Sequence, residues 1–406
     1  MANRTTSGVL LFFLSTVSLL GGPVRALEPT HEAILSENPA STVGLASVPG
    51  GGVYATWSES VPSGPPPRNV LWAERLDVDL NGEPAFRVAD DRGGTEIFFQ
   101  CPVMARIGAD RLAFAWMATT VAGRRVAYRV TTTAGAPLGP VRFAEDPTPD
   151  RDAFCPRLGG WDRGFAIAWP SGPKVGTTIA FFARSFDETG RPVTPRLTVQ
   201  ADTAAAGYPP GIAMDVRGHF TVSWTTFSPA GGYPSRVRMR RFLRNGIPTV
   251  GPVEVARNAT ESEALATFGR ADGQGVEIVW RSFDAPGPGK VRVRRFNRQL
   301  QPLGPARAVA NSDSFGLPEI AVDANGRSAI GWEGAGARET GLFLDATLAP
   351  CGTPFPLHED RAVGAIEVAF SGSEEVAYSL LEEGSDNLRR AVVRTYPLGG
   401  CAEGVE

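Results

Sequence analysis

The sequence predicts an all-β protein, a seven-bladed β-propeller with four-stranded blades. Three observations carry this. A short strand ending in tryptophan recurs along the chain, Gly- and Asn-containing turns recur around it, and 47 glycines and 34 prolines are spread over the whole length. That composition fits many short strands joined by tight turns.

The recurring strand is a pentad: VYATW (53–57), LAFAW (112–116), FAIAW (165–169), FTVSW (220–224), VEIVW (276–280) and SAIGW (328–332). A seventh, EVAYS (375–379), puts Tyr378 near the same place. The tryptophans follow one another after 59, 53, 55, 56 and 52 residues, and a fixed period of this length marks a repeat architecture. Apart from VEIVW, each pentad is mostly apolar on both faces, as a strand covered on both sides must be.

Each pentad sits in a longer unit. A short apolar strand and a turn precede it, as in IAMDVRG (212–218) and IAVDANG (320–326). A variable loop and an alternating strand follow, as in RVRMRRF (236–242) and KVRVRRF (290–296). Next come turns such as Asn81-Gly82, Thr189-Gly190 and Asn245-Gly246, then a fourth strand ending in a polar pair such as Glu145-Asp146. Four hairpin-linked strands make one blade. A sheet with two apolar faces needs like neighbours on both sides, and closing the ring leaves no blade exposed. The tryptophans are therefore expected between blades. The last unit holds three strands, and residues near 32–37 are predicted to supply its fourth.

The N-terminus reads as an export signal over residues 1–26. Arg4 precedes the apolar run Val9–Leu20, and Val24-Arg25-Ala26 offers small residues for cleavage. The run is shorter than the ~20 residues a membrane span needs. The mature chain, 27–406, is read as one secreted or periplasmic domain, acting as a monomer. Removing Arg4 and Arg25 takes the net charge from −3 to −5, which argues against nucleic acid as a partner. Only Lys174 and Lys290 are lysines, an arginine bias that points to a GC-rich bacterial source.

Arg184-Ser-Phe-Asp187 with Gly190-Arg-Pro192, and Arg295-Phe-Asn297 with Pro302, continue the tryptophan pentads. This pattern resembles the Trp/"RFD-x-x-G-x-P" propeller repeats of secreted bacterial surface proteins. The resemblance covers nearly the whole mature chain and implies a fold, with no site residues to carry over. Units six and seven depart from it, since LFLDAT and AVVRTY lack the Arg-Phe-Asp signature.

Four cysteines in an exported chain suggest two disulfides. Cys101 and Cys155 each precede a proline at the entry to an inner strand of adjacent units, while Cys351 and Cys401 each follow a third strand. Equivalent positions in neighbouring blades are close in space, so the expected pairs are Cys101–Cys155 and Cys351–Cys401. A four-cysteine metal site fits worse, because no C-x-x-C is present.

Asp77-Val-Asp79-Leu-Asn81-Gly82 opens like a calcium loop, but Val88 stands where such a loop needs its closing carboxylate. No cofactor is expected, with calcium at this turn the one candidate. His31 and His358 fall on fourth strands at the outer rim and His219 after a turn, none beside a nucleophile motif. Arg236, Arg238 and Arg240, like Lys290, Arg292 and Arg294, alternate along a strand; they could line an anion site, and pairing between blades is the plainer reading. No G-x-S-x-G, H-E-x-x-H, P-loop or Asp box occurs. The lead reading is therefore a non-catalytic binding or scaffold propeller. Its protein or glycan ligand would meet the variable loops after the tryptophans (58–69, 225–235, 380–386). The rival is a carbohydrate-active enzyme using inner-strand carboxylates such as Glu319 and Glu367, if these lie about 5–10 Å apart.

Overall fold

A computed structural model describes residues 27–401 apart from 37, 63–67, 92–98, 147–149, 175–177, 205–207, 227–234, 257–261, 270–274, 284–288, 313–315, 335–337, 359–365, 384–385, 387 and 400. The segment read as an export signal lies outside the described residues, as do residues 63–67, 227–234 and 384–385 of the loops proposed for binding.

The described chain forms seven antiparallel sheets, five of them with four strands in sequence order outward from an inner strand. The inner strands are Ala40–Ser47, Phe99–Ile107, Arg157–Trp161, Gly211–Met214, Ser262–Phe268, Glu319–Val322 and Glu367–Phe370. Each touches the next, and the last touches the first, so the sheets close into a seven-bladed propeller. The closing strand is His31–Ile34, which pairs with the third strand of blade 7, Arg389–Pro397, in the register His31 to Thr395. Blade 3 carries one extra strand, Arg151–Ala153, paired with the far end of its second strand.

The core is a set of layers between neighbouring blades rather than one central mass. Each apolar cluster draws on two adjacent blades, for instance Val103 to Ala144 of blade 2 with Ala153 to Phe186 of blade 3. Trp57, Trp116, Trp169, Trp224, Trp280 and Trp332 lie in these layers and are at most 3 % exposed. Burying rings of this size is a major favourable term in the fold.

Blade 7 departs from the other six at the tryptophan position. Trp332 stands opposite Thr340 and Trp280 opposite Arg292, and the equivalent pairing in blade 7 is Leu380 with Val392. Leu380, not Tyr378, fills the tryptophan slot. Tyr378 sits two residues earlier, where Ile330 stands in blade 6, and packs against Phe343, Phe355 and Tyr396. With a smaller residue in the slot, aromatic packing has shifted along the strand.

The arginine stripes bind blade to blade. Nη1 of Arg129, Arg184, Arg240, Arg294 and Arg394 each donates to a main-chain carbonyl of the preceding blade: Val88, Ala144, Val199, Val255 and Leu357. Arg238 pairs with Glu254, and Arg292 Nε donates to Ser282.

In blades 1 to 6 the turn after the third strand pivots on a residue in the left-handed region. Gly135, Gly190 and Gly246 fill it in three blades; Leu80, Leu300 and Leu348 fill it in three others. In blade 1 the pivot is therefore Leu80 rather than the Asn81-Gly82 pair. All three leucines are buried in inter-blade layers. Left-handed backbone costs a non-glycine residue about 1–2 kcal/mol, while burying leucine returns roughly 1.5–3 kcal/mol. Burial outweighs the strain. Leu300→Gly should accordingly lower stability by about 1 kcal/mol in urea denaturation; a more stable variant would reverse that ordering.

Both disulfides form as the repeat alignment predicts, Cys101–Cys155 and Cys351–Cys401. Cys101–Cys155 lines the channel, whereas Cys351–Cys401 lies at the apolar layer between blades 6 and 7.

Candidate functional site

The blades present one ring of side chains to the central channel. Seven residues hold the same register on the inner strands: Gly44, Val103, Arg157, Gly211, Thr267, Glu319 and Glu367. Each pairs with the residue just before the tryptophan slot of its own blade. All seven line a cavity of about 140 Å³ inside the channel.

Three of the seven are charged and they meet. Arg157, from blade 3, reaches the carboxylates of blades 6 and 7: its Nη2 donates to Glu319 Oε1 and its Nη1 to Glu367 Oε1 at 2.6 Å. The two acids singled out from sequence are thus brought together, and the residue that joins them was not singled out. Above the ring, at the end of the channel where inner strands begin, lies a second cavity of about 250 Å³. It shares Val103, Arg157, Glu319 and Glu367 with the inner one. The clasp therefore stands between the two spaces.

The mouth cavity is acidic. Glu319, Glu333, Glu339 and Glu367 line it, with Arg157 as the one cationic side chain among its described lining residues. Pro102, Pro156 and Pro209 stiffen the opposite wall. Burial pushes the Glu319 carboxyl well above its ordinary range; Arg157 pulls it down, and the charge of Glu367 adds to the rise. Burial opposes the Arg157 charge, but the two carboxylates more than offset it and hold the guanidinium above its usual value.

The histidines take other places. His358 follows the fourth strand of blade 6, Phe355–Pro356, and is buried there, with Nε2 2.7 Å from Oε2 of Glu339 at the pocket wall. A buried carboxylate needs a partner, and this imidazole supplies one. His31 lies on the closing strand near Asp79, and His219 beside Asp215. At the calcium candidate, Asp77 Oδ1 accepts the main-chain N–H of Asp79 and Asn81. Asp187 and Asp345 cap the same turn in blades 3 and 6 in the same way. Asp77 thus makes the turn contacts of its repeat. Among the described residues, no group of three or more His, Cys, Asp or Glu is placed to hold a metal ion.

The opposite end of the channel opens into a wider basin of about 1230 Å³, lined by the turns between first and second strands. It carries Asp79, Arg106, Asp323 and Glu374. Its acids include Asp323, which is engaged by Arg327.

No protein-family profile matches this chain, and no curated protein sequence matches it. Solved structures do. An α-L-arabinanase of Penicillium chrysogenum complexed with arabinobiose is similar over 92 % of this chain and 98 % of its own, with a TM-score of 0.51 at 11 % identity. A protein of unknown function from Dyadobacter fermentans matches 92 % of this chain and all of its own, with a TM-score of 0.52 at 10 % identity. The polysaccharide lyase Uly1 matches 92 % of this chain and all of its own, with a TM-score of 0.50 at 9 % identity. What is shared is the fold.

Proposed function

We propose that this protein is an exported, non-catalytic binding propeller that holds part of a glycan in the acidic channel mouth. The observation that carries this is the Arg157 clasp. Both carboxylates that could act as acid, base or nucleophile are bound to one guanidinium, which suits a fixed polar wall better than a proton-transfer pair. Sugar hydroxyls can donate to the carboxylates of the mouth while the proline wall meets the apolar faces of the ring. Two of the fold relatives, an arabinanase with arabinobiose bound and a polysaccharide lyase, support glycans as the ligand class. The two disulfides are consistent with export.

A second reading, glycoside hydrolysis, has one observation in its favour. The raised Glu319 carboxyl keeps its proton to higher pH, as a general acid must. It would need Arg157 to release Glu367.

Calorimetry against a panel of neutral oligosaccharides, arabinobiose included, separates these. Binding without turnover is expected. Glu367→Gln should weaken it about 10- to 100-fold, the worth of a hydrogen bond to a charged group at roughly 1.5–3 kcal/mol. Turnover of any panel sugar that vanishes in Glu319→Gln would establish the hydrolase reading. No binding by the wild-type protein would remove glycan as the ligand class.

A further inference from the structure

The Cys101–Cys155 bridge ties the entrances of two neighbouring inner strands, in blades 2 and 3, at the channel mouth. Both cysteines line the mouth cavity, and both are partly exposed there. Cys155 stands two residues before Arg157, with only Pro156 between. A rigid proline passes any shift of Cys155 directly to the base of the clasp.

The other half of the bridge is strained. Cys101 has φ 52°, in the left-handed region that non-glycine residues avoid. It also precedes Pro102, and a residue before proline is steered to extended backbone. The pairing of this strand with its neighbour is irregular at the same place, between Gln100 and Val103. Backbone held against its preference at a pocket wall relaxes when its tether opens.

The second disulfide makes an internal contrast. Cys401 is 4 % exposed in the apolar layer between blades 6 and 7, and Cys351, partly exposed, packs against that layer. A reductant reaches a disulfide sulfur in line with its accessibility. The mouth gives it that access at both residues of Cys101–Cys155, whereas Cys351–Cys401 has one of its two residues, Cys401, buried.

We propose that Cys101–Cys155 is a redox latch on the channel mouth, opened by a small dithiol, and that opening it lets Arg157 leave Glu319 and Glu367. A thiolate of the dithiol attacks one sulfur, forming a mixed disulfide and freeing the other cysteine. The second thiol of the reductant then attacks the reductant's own sulfur in that mixed disulfide and displaces the remaining protein cysteine. Two electrons and two protons end on Cys101 and Cys155 as thiols, and the reductant leaves as its cyclic disulfide. The latch regulates the site read above as the glycan pocket, and rests on that reading only for its effect on ligand binding.

The test uses the full-length oxidised protein and no glycan. Graded dithiothreitol, with alkylation and peptide mapping, reads which bridge opens first. Carbodiimide labelling of carboxyl groups, also mapped, reads how accessible Glu319 and Glu367 are, with circular dichroism reporting the fold. Cys101 and Cys155 should alkylate first, with the strand signal retained. Labelling of both glutamates should then rise several-fold, and equally in Cys101→Ala/Cys155→Ala without reductant. Reduction of Cys351–Cys401 first or simultaneously would overturn the proposal. So would unchanged labelling of Glu319 and Glu367 once Cys101–Cys155 is open. Failure of the glycan panel leaves this result standing, and failure here leaves glycan binding standing.

Discussion

Replacing Arg157 with methionine should lower stability by about 3 kcal/mol at neutral pH, because the buried Glu319 and the half-buried Glu367 lose the charge that pairs them. Urea denaturation at a series of pH values is the measurement. The sign of its pH dependence follows from Glu319. Its folded carboxyl sits above the unfolded value, so the native state binds more protons in that window and stability falls as pH rises from about 4.5 upward. Arg157 restrains that rise; without it the folded value climbs further. The deficit of Arg157→Met should therefore be largest near pH 7 and shrink as pH falls and Glu319 takes its proton. Glu319→Gln imitates the protonated state and leaves one cation facing one anion, so it should keep near wild-type stability at pH 7. An Arg157→Met deficit that grows on acidification, or none at all, would mean that the clasp does not hold the channel.

Converting Cys351 and Cys401 together to alanine should cost about 4 kcal/mol, the chain-entropy value for a loop of this size. The residues are 50 apart. Their bridge joins the turn after the third strand of blade 6 to the segment following the third strand of blade 7, beside the strand that closes the ring. The loss should be read as a fall in denaturant midpoint, accompanied by protease cleavage near residue 398. A midpoint unchanged from wild type would show that the pairing of His31–Ile34 closes the ring unaided.

Most of this architecture was legible in sequence because it repeats. Six tryptophans set the period, and the period alone placed the blades, the closing strand and both disulfides. Two features escaped for local reasons. A leucine can occupy the left-handed turn position when its side chain is buried, and burial is a tertiary property that Leu80 does not advertise beside Asn81-Gly82. In blade 7 the tryptophan slot holds Leu380, so the nearest aromatic, Tyr378, drew the alignment two residues off. Arg157 escaped for a different reason. Residues 319 and 367 precede positions 332 and 380 by thirteen, as 44 precedes 57 and 103 precedes 116, whereas 157 precedes 169 by twelve. A one-residue slip in blade 3 hid a member of the channel ring. Its partners come from across the ring, and only the closed curvature brings them within reach.

The ring is sealed by the part of the described chain that is synthesised early. His31–Ile34 leaves the ribosome before any blade exists, and its partner, Arg389–Pro397, emerges after nearly everything else. Blades 2 to 5 can each dock on the one before as they appear, every newcomer fastening an arginine onto a finished carbonyl. The founding strand has no such companion. Throughout synthesis it remains a loose end with an unpaired edge, the kind that recruits strangers. Its charged Glu32, which finally meets Arg394, is the kind of side chain that discourages pairing with a foreign edge.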